Sequence, residues 1–228
     1  MENAAWQRGF PYFLGMRIDR ARDALLVVDL QHDFLPGGAL AVREGDEVIA
    51  PIARLAPAFD TVVATQDFHP MGHVSFASSH PGRKPFETVA LARGPQELWP
   101  DHCVQGTHGA QIHPGFPDRA AALILRKGTR KDVDSYSAFR ENVGPDGERA
   151  TTGLAAWLAA RGVQRAFVCG LARDFCVKWS ALDAADAGFE TYVLDDLTRA
   201  VFPERRADVD AELAARGVRL LRGRDLEA

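Results

Sequence analysis

No apolar run in the 228-residue sequence approaches the roughly 20 residues that a helix needs to cross a bilayer, so no membrane span is expected. Cysteine is scarce: Cys103, Cys169 and Cys176 are an odd, low count without regular spacing. That argues against a disulfide framework and leads to the expectation of a reducing, cytoplasmic setting. Neither charge dominates, with 27 basic and 31 acidic residues and a formal net charge of −4. Nothing therefore points to nucleic acid or an anionic membrane surface as a partner. Internal repeats and low-complexity linkers are absent. The first twenty residues lack a basic start and a small-residue cleavage site, so no secretory leader is expected. They read as an N-terminal extension of open role, followed by a single domain over residues 21–228.

What is present is enough for one sizeable core: 46% of the residues are hydrophobic and 25% charged, close to the average for soluble proteins. Short apolar runs alternate with helix-like stretches, the pattern of a parallel sheet covered on both faces. Strands are predicted at Ala24–Leu30, Thr61–Thr65, Ala121–Arg126, Ala166–Cys169, Glu190–Leu194 and Val218–Leu221. Helices are predicted at Glu47–Phe59, despite Pro51 and Pro57, at Thr152–Arg161, from Phe175 to Ala187 and at Glu204–Arg216. The fold class is therefore three-layer α/β/α with a six-stranded, mainly parallel sheet. The stretch from Gln66 to about Arg119 stands apart, holding six of the seven histidines and many Gly and Pro residues. Loops this long inside compact domains are usually functional or disordered, and the Trp, Phe and His content favours function.

Open α/β sheets bind ligands beyond the carboxyl ends of their strands. The chemistry-bearing residues fall there. Asp29 closes the first apolar strand, Asp67 and His69 follow the second, Lys127 closes the third, and Cys176 follows the fourth. Cys176 lies at the predicted start of a helix, where free N–H groups and the helix dipole lower a thiol pKa and can hold an oxyanion. Each residue alone has an ordinary reading, a core thiol or a solvated strand end. Together they supply a nucleophile, a base in Asp29 and a cation in Lys127. In Asp67-Phe68-His69, an acid and a histidine two apart on an extended segment point the same way, and His102 can return as a third ligand. That donor set suits one divalent Zn, Fe or Mn ion with open positions. His73 is the best candidate for a further ligand, Cys103 is a weaker one, and Cys169 reads as core. Phe34, Trp99 and Tyr136 can stack on a flat ring.

The segments LLVVDLQHDFLPGGALAV, ATQDFHPMGHVSFASSH, LWPDHCVQGTHGAQIHP, LRKGTRKDVDSYSAF and VCGLARDFCVKWSALDA, between about Ala24 and Val201, resemble the nicotinamidase/pyrazinamidase branch of the isochorismatase-like cysteine hydrolases. The resemblance implies Cys176 as nucleophile, Asp29 as base, Lys127 as its ionic partner, and Asp67, His69 and His102 as metal ligands. It implies a cis peptide between Leu171 and Ala172, with the oxyanion held by the N–H groups of Ala172 and Cys176. It also implies hydrolysis of nicotinamide, and of pyrazinamide, to the acid and ammonia, a small-molecule substrate and a place in NAD salvage. Two readings stay beside it: a relative acting on another small amide, and a non-catalytic metal- or ligand-binding member of the fold. Arg173 stands where the branch usually has a small polar residue, so access or local charge is expected to differ. A homo-oligomeric assembly is left open.

Overall fold

A computed structural model describes residues 15–227, so most of the N-terminal extension lies outside the described residues. The first described element, β1 (Met16–Arg17), pairs in parallel with the last strand, β10 (Leu226–Glu227), and Ile18 is buried in the core. The chain from Gly15 is thus tied to the same body as the rest.

Between these ends lie β2 (Asp23–Val28), α1 (Ile49–Leu55), β3 (Thr61–Asp67), β4 (Thr88–Leu91), β5 (Gly94–Glu97), β6 (Leu123–Lys127), α2 (Leu154–Ala160), β7 (Arg165–Leu171), α3 (Lys178–Asp186), β8 (Glu190–Arg199), α4 (Arg206–Ala215) and β9 (Arg219–Leu221). Six strands form the main sheet in the order β6-β3-β2-β7-β8-β9, and every neighbouring pair is parallel. The expected mainly parallel sheet is wholly parallel. Continuous apolar runs are what such strands require, because both faces are covered: β2 and β3 are buried at every position. Leu154, Leu158, Ala181, Leu182, Val209 and Leu213 of α2, α3 and α4 fill one face. The other is packed by Ile49 and Ile52 of α1 and by loop residues such as Trp99 and Phe116. No helix of the described residues is long and apolar enough to cross a membrane.

Four local features depart from the sequence reading. The strand expected at Ala121–Arg126 is β6 at Leu123–Lys127, on the edge of the sheet, and Ile124 on it is 41% exposed. β8 continues to Arg199 rather than stopping at Leu194, because the side chains that should end it find partners: Asp195 pairs with Arg173 and Arg206, and Asp196 accepts the N–H of Gly223. The histidine-rich loop contains the small antiparallel β4–β5 hairpin, hidden in the sequence by Gly94 and Pro95. Glu47–Phe59 is helical as far as Ala58, but as short 3₁₀ turns flanking α1, with Phe59 already extended and Pro51 in the first turn of α1, where its missing N–H costs nothing.

The sheet order puts β2 between β3 and β7, so the chain reverses direction across the sheet at β2. That switch point opens a crevice at the carboxyl ends of β2, β3, β6 and β7.

Candidate active site

The residue after β2, Asp29, takes a left-handed conformation (φ 49°), which turns its carboxylate down into the crevice. Thr65 of β3 fixes it twice, donating its hydroxyl to Asp29 Oδ1 at 2.6 Å and accepting the Asp29 N–H at 3.1 Å. Asp67 and Lys127 end adjacent strands as register partners. The Lys127 ammonium is fully buried and lies 2.8 Å from Asp29 Oδ2, 2.9 Å from Asp67 Oδ1 and 3.4 Å from Cys176 Sγ. It also donates to the Ser135 carbonyl at 3.2 Å. The sequence left open whether these residues meet; here one cation touches all three.

Cys176 sits in a single π-helical turn, Arg173–Val177, that joins β7 to α3. The expected fall in its thiol pKa is not what this environment gives. Burial pushes the thiol well above its ordinary value, and although Lys127 pulls it down, Asp29 and Asp67 push it further up. The resting sulfur is therefore a thiol, and attack needs a base. Burial also raises the Asp29 carboxyl against the opposing pull of Lys127, which makes it a better proton acceptor than an exposed aspartate. Burial alone would lower Lys127, but the two carboxylates hold it well above the ordinary lysine value and charged.

Beside this set, one oxygen of Asp67 faces two imidazoles: Oδ2 lies 3.1 Å from His69 Nε2 and 3.6 Å from His102 Nε2. Each ring has its other nitrogen placed against a backbone carbonyl, His69 Nδ1 at 3.0 Å from Gly128 O and His102 Nδ1 at 2.8 Å from Pro100 O. Donation to those carbonyls orients both rings with Nε2 on the Asp67 side, the usual preparation of metal-binding histidines. Gly128 is required here. It has φ 63°, and a Cβ would lie 2.4 Å from the His69 ring. One carboxylate and two imidazoles, with ligand atoms all within 4.8 Å of one another, fit a divalent transition ion by donor chemistry.

His73 is placed differently. Its Nε2 lies 3.1 Å from the Val133 carbonyl and its Nδ1 2.8 Å from Ser75 Oγ, while its ring lies 4.1 Å from that of His69, tilted by 32°. Burial and neighbouring His69 lower its pKa to about 4. Both its nitrogens are engaged by the chain, and with His69 and Asp134 it forms a second group of donors within 4.8 Å of one another. Cys103 contributes its backbone, donating its N–H to Asp33 Oδ2 and accepting from the His69 N–H. Cys169 is core, as expected.

Phe34, Trp99, Tyr136 and Ala172, all singled out in the sequence, line the cavity in front of Cys176 together with Leu40, Asp134, Phe175 and Val201, which were not. Trp99 donates its indole N–H to the Tyr136 hydroxyl at 3.2 Å, and Phe34 packs edge-on to His102. The free space is about 20 Å³, room for a single water, so an aromatic ring enters only as these side chains open. A far larger cavity, about 850 Å³, lies against β6 and includes neither a nucleophile nor a metal-ligating group. Chemistry rather than volume locates the site. Gln31 was also passed over. Its amide accepts the Asp67 N–H and donates to the Asp67 and Ala110 carbonyls, tying β2, β3 and the loop together.

Arg173 does not reach the cavity. Its guanidinium is buried the other way, bonded to Thr198 at 2.9 Å, Asp195 at 3.0 Å and Asp210. Asp174 accepts the N–H groups of Val201 and Phe202. The two side chains pin the Cys176 turn to β8 and the segment after it, and the expected change of access or charge at the site does not arise. The Leu171–Ala172 peptide is cis.

A wholly parallel three-layer α/β sheet with a buried cysteine, aspartate and lysine at its carboxyl edge defines a class. Within it, the chain belongs to the isochorismatase family: the family described as Isochorismatase domain matches residues 23–225. The chain is 48% identical over 189 residues to a nicotinamidase of Acinetobacter baylyi, covering 82% of this chain and 86% of that one. It is 44% identical over 203 residues to a nicotinamidase of Escherichia coli, covering 86% and 93%. Among solved structures it is similar to an Acinetobacter baumanii nicotinamidase and pyrazinamidase, with a TM-score of 0.85 and 45% identity over 90% of this chain and 98% of that one. It is also similar to an L. infantum protein in complex with nicotinate, with a TM-score of 0.83 and 39% identity over 94% and 100%. A third similar structure is a Pyrococcus horikoshii pyrazinamidase in complex with zinc, with a TM-score of 0.72 and 35% identity over 88% and 99%.

Proposed function

We propose that this chain is a nicotinamidase, hydrolysing nicotinamide to nicotinate and ammonia through a thioester on Cys176. The observation that carries the reading is the Lys127 ammonium, which joins Asp29 and Cys176 to the Asp67–His69–His102 set in one buried site. The carboxamide lies over Cys176 with the ring among Phe34, Trp99 and Tyr136. Asp29 takes the thiol proton as sulfur attacks the carbonyl carbon; the C–S bond forms and the carbonyl electron pair moves onto oxygen. The N–H groups of Ala172 and Cys176 hold that oxyanion, and losing one such donor typically costs about 10²–10³ in rate. As the intermediate collapses the C–N bond breaks, and Asp29 returns the proton to the leaving nitrogen, giving ammonia. A water then gives its proton to Asp29 and attacks the thioester carbon, and sulfur leaves and regains a proton. Lys127 keeps the carboxylate aimed and balances its charge throughout.

Asp67, His69 and His102 would hold one divalent Zn, Fe or Mn ion, which when bound supplies a Lewis-acid partner for the pyridine nitrogen. Pyrazinamide keeps that nitrogen and the carboxamide, and is expected to be a substrate. The direct test is ammonia release by metal-replete protein: release from nicotinamide and pyrazinamide is expected, and none from either amide would overturn the reading. For the ligand set, His69→Ala with His102→Ala is expected to remove the metal by elemental analysis and to raise KM more than it lowers kcat. Unchanged metal content would take both histidines out of the centre.

A further inference from the structure

Beyond the catalytic cavity, the turn of the β4–β5 hairpin covers a second pocket of about 290 Å³ that the mechanism does not use. Arg93 in that turn lines it, and its Nη2 atom is buried without a hydrogen-bond partner. Asp132, which feels the charge of Arg93, is exposed and bonded to Arg130 instead. The pocket's other guanidinium, Arg149, is engaged by both oxygens of Asp183 at 2.8 and 2.7 Å. A buried guanidinium nitrogen with no partner is costly and calls for an anion. The rest of the lining narrows the kind: Trp179 and Tyr136 offer aromatic surface, and Asn142 offers an amide. Such a wall takes a single flat ring bearing a carboxylate.

The pocket also adjoins the site. Tyr136 lines both cavities, and Gln96 donates to Asp134, which lines the catalytic one. Resting on the nicotinamidase reading, the reaction turns a neutral amide into an anion, released beside the carboxylates of Asp67 and Asp134. We propose that the Arg93 pocket is a second binding site for small aromatic monocarboxylates, which receives the nicotinate product past Tyr136.

The test is calorimetric titration of metal-loaded Cys176→Ala protein with nicotinate. Two sites per chain are expected, and adding Arg93→Ala, or Arg93→Gln if alanine harms folding, weakens one by about tenfold or more. Benzoate, with the carboxylate but no ring nitrogen, is expected to bind in an Arg93-dependent manner as well. A single site, or two sites that both stay within twofold when Arg93 is replaced, overturns the proposal. Ammonia release by the unmutated protein is scored separately. Turnover without Arg93-dependent binding sinks only the second site, and Arg93-dependent binding without turnover sinks only the catalytic reading.

Discussion

Cys176→Ala is expected to lower ammonia release from nicotinamide by a factor on the order of 10⁴–10⁶, the usual consequence of deleting a nucleophile from a set that acts as a unit. No other thiol can take its place. Cys169 lies within β7, where burial raises its thiol, and Cys103 is enclosed against the Asp33 carboxylate with its thiol raised in the same way. Truncation removes one sulfur from a wall that already leaves only about 20 Å³ of space, so the fold and the metal content should be retained. Elemental analysis and thermal unfolding of the variant, beside single-turnover ammonia assays, separate loss of chemistry from loss of structure. Turnover within tenfold of the unmutated protein would remove Cys176 from the reaction. Loss of metal together with activity would instead mean that the sulfur helps to hold the centre, a role its nearness to Asp67 makes worth checking.

The sheet was legible because β2, β3 and β7 are covered on both faces, so their residues could only be apolar runs, and a run of that kind needs no partner to be recognised. The same parallelism made the site legible. All carboxyl ends fall on one edge, so a polar residue closing each run, Asp29 or Lys127, already marked the crevice. What stayed hidden depends on partners distant in sequence. Arg173 looked like an intruder at the site because its true neighbours, Asp195 and Asp210, lie on β8 and α4. The direction of the Cys176 thiol was misread because the helix-terminus rule is local, whereas burial among Asp29, Asp67 and Lys127 is assembled from four strands. Thr65 and Gln31 left a faint signal, as polar residues inside or just beyond apolar runs. Only the geometry shows that they fasten Asp29 and Asp67.

Lys127→Met carries the largest expected cost to stability, because it leaves Asp29 and Asp67 buried without the ammonium that lies within 2.9 Å of each. Breaking such an arrangement from one side typically costs about 3–5 kcal/mol, measurable by urea unfolding at neutral pH. The sign of its pH dependence follows from Asp29. Burial already raises this carboxyl and Lys127 is what lowers it, so removing the lysine moves it further up. A carboxyl whose folded pKa lies above its unfolded value contributes stability that is present below the unfolded value and lost as pH rises through the folded one. The deficit of the variant should therefore be smallest in acid and grow toward neutral pH. Catalysis should show the same shift from the other side. The base works only when ionised, so the acidic limb of kcat/KM moves to higher pH in whatever activity remains. A variant within about 1 kcal/mol of the unmutated protein at pH 7, with an unmoved acidic limb, would mean that Lys127 neither balances Asp29 nor sets its proton affinity. The Asp29–Lys127–Cys176 set would then have to be read as three neighbours rather than one machine.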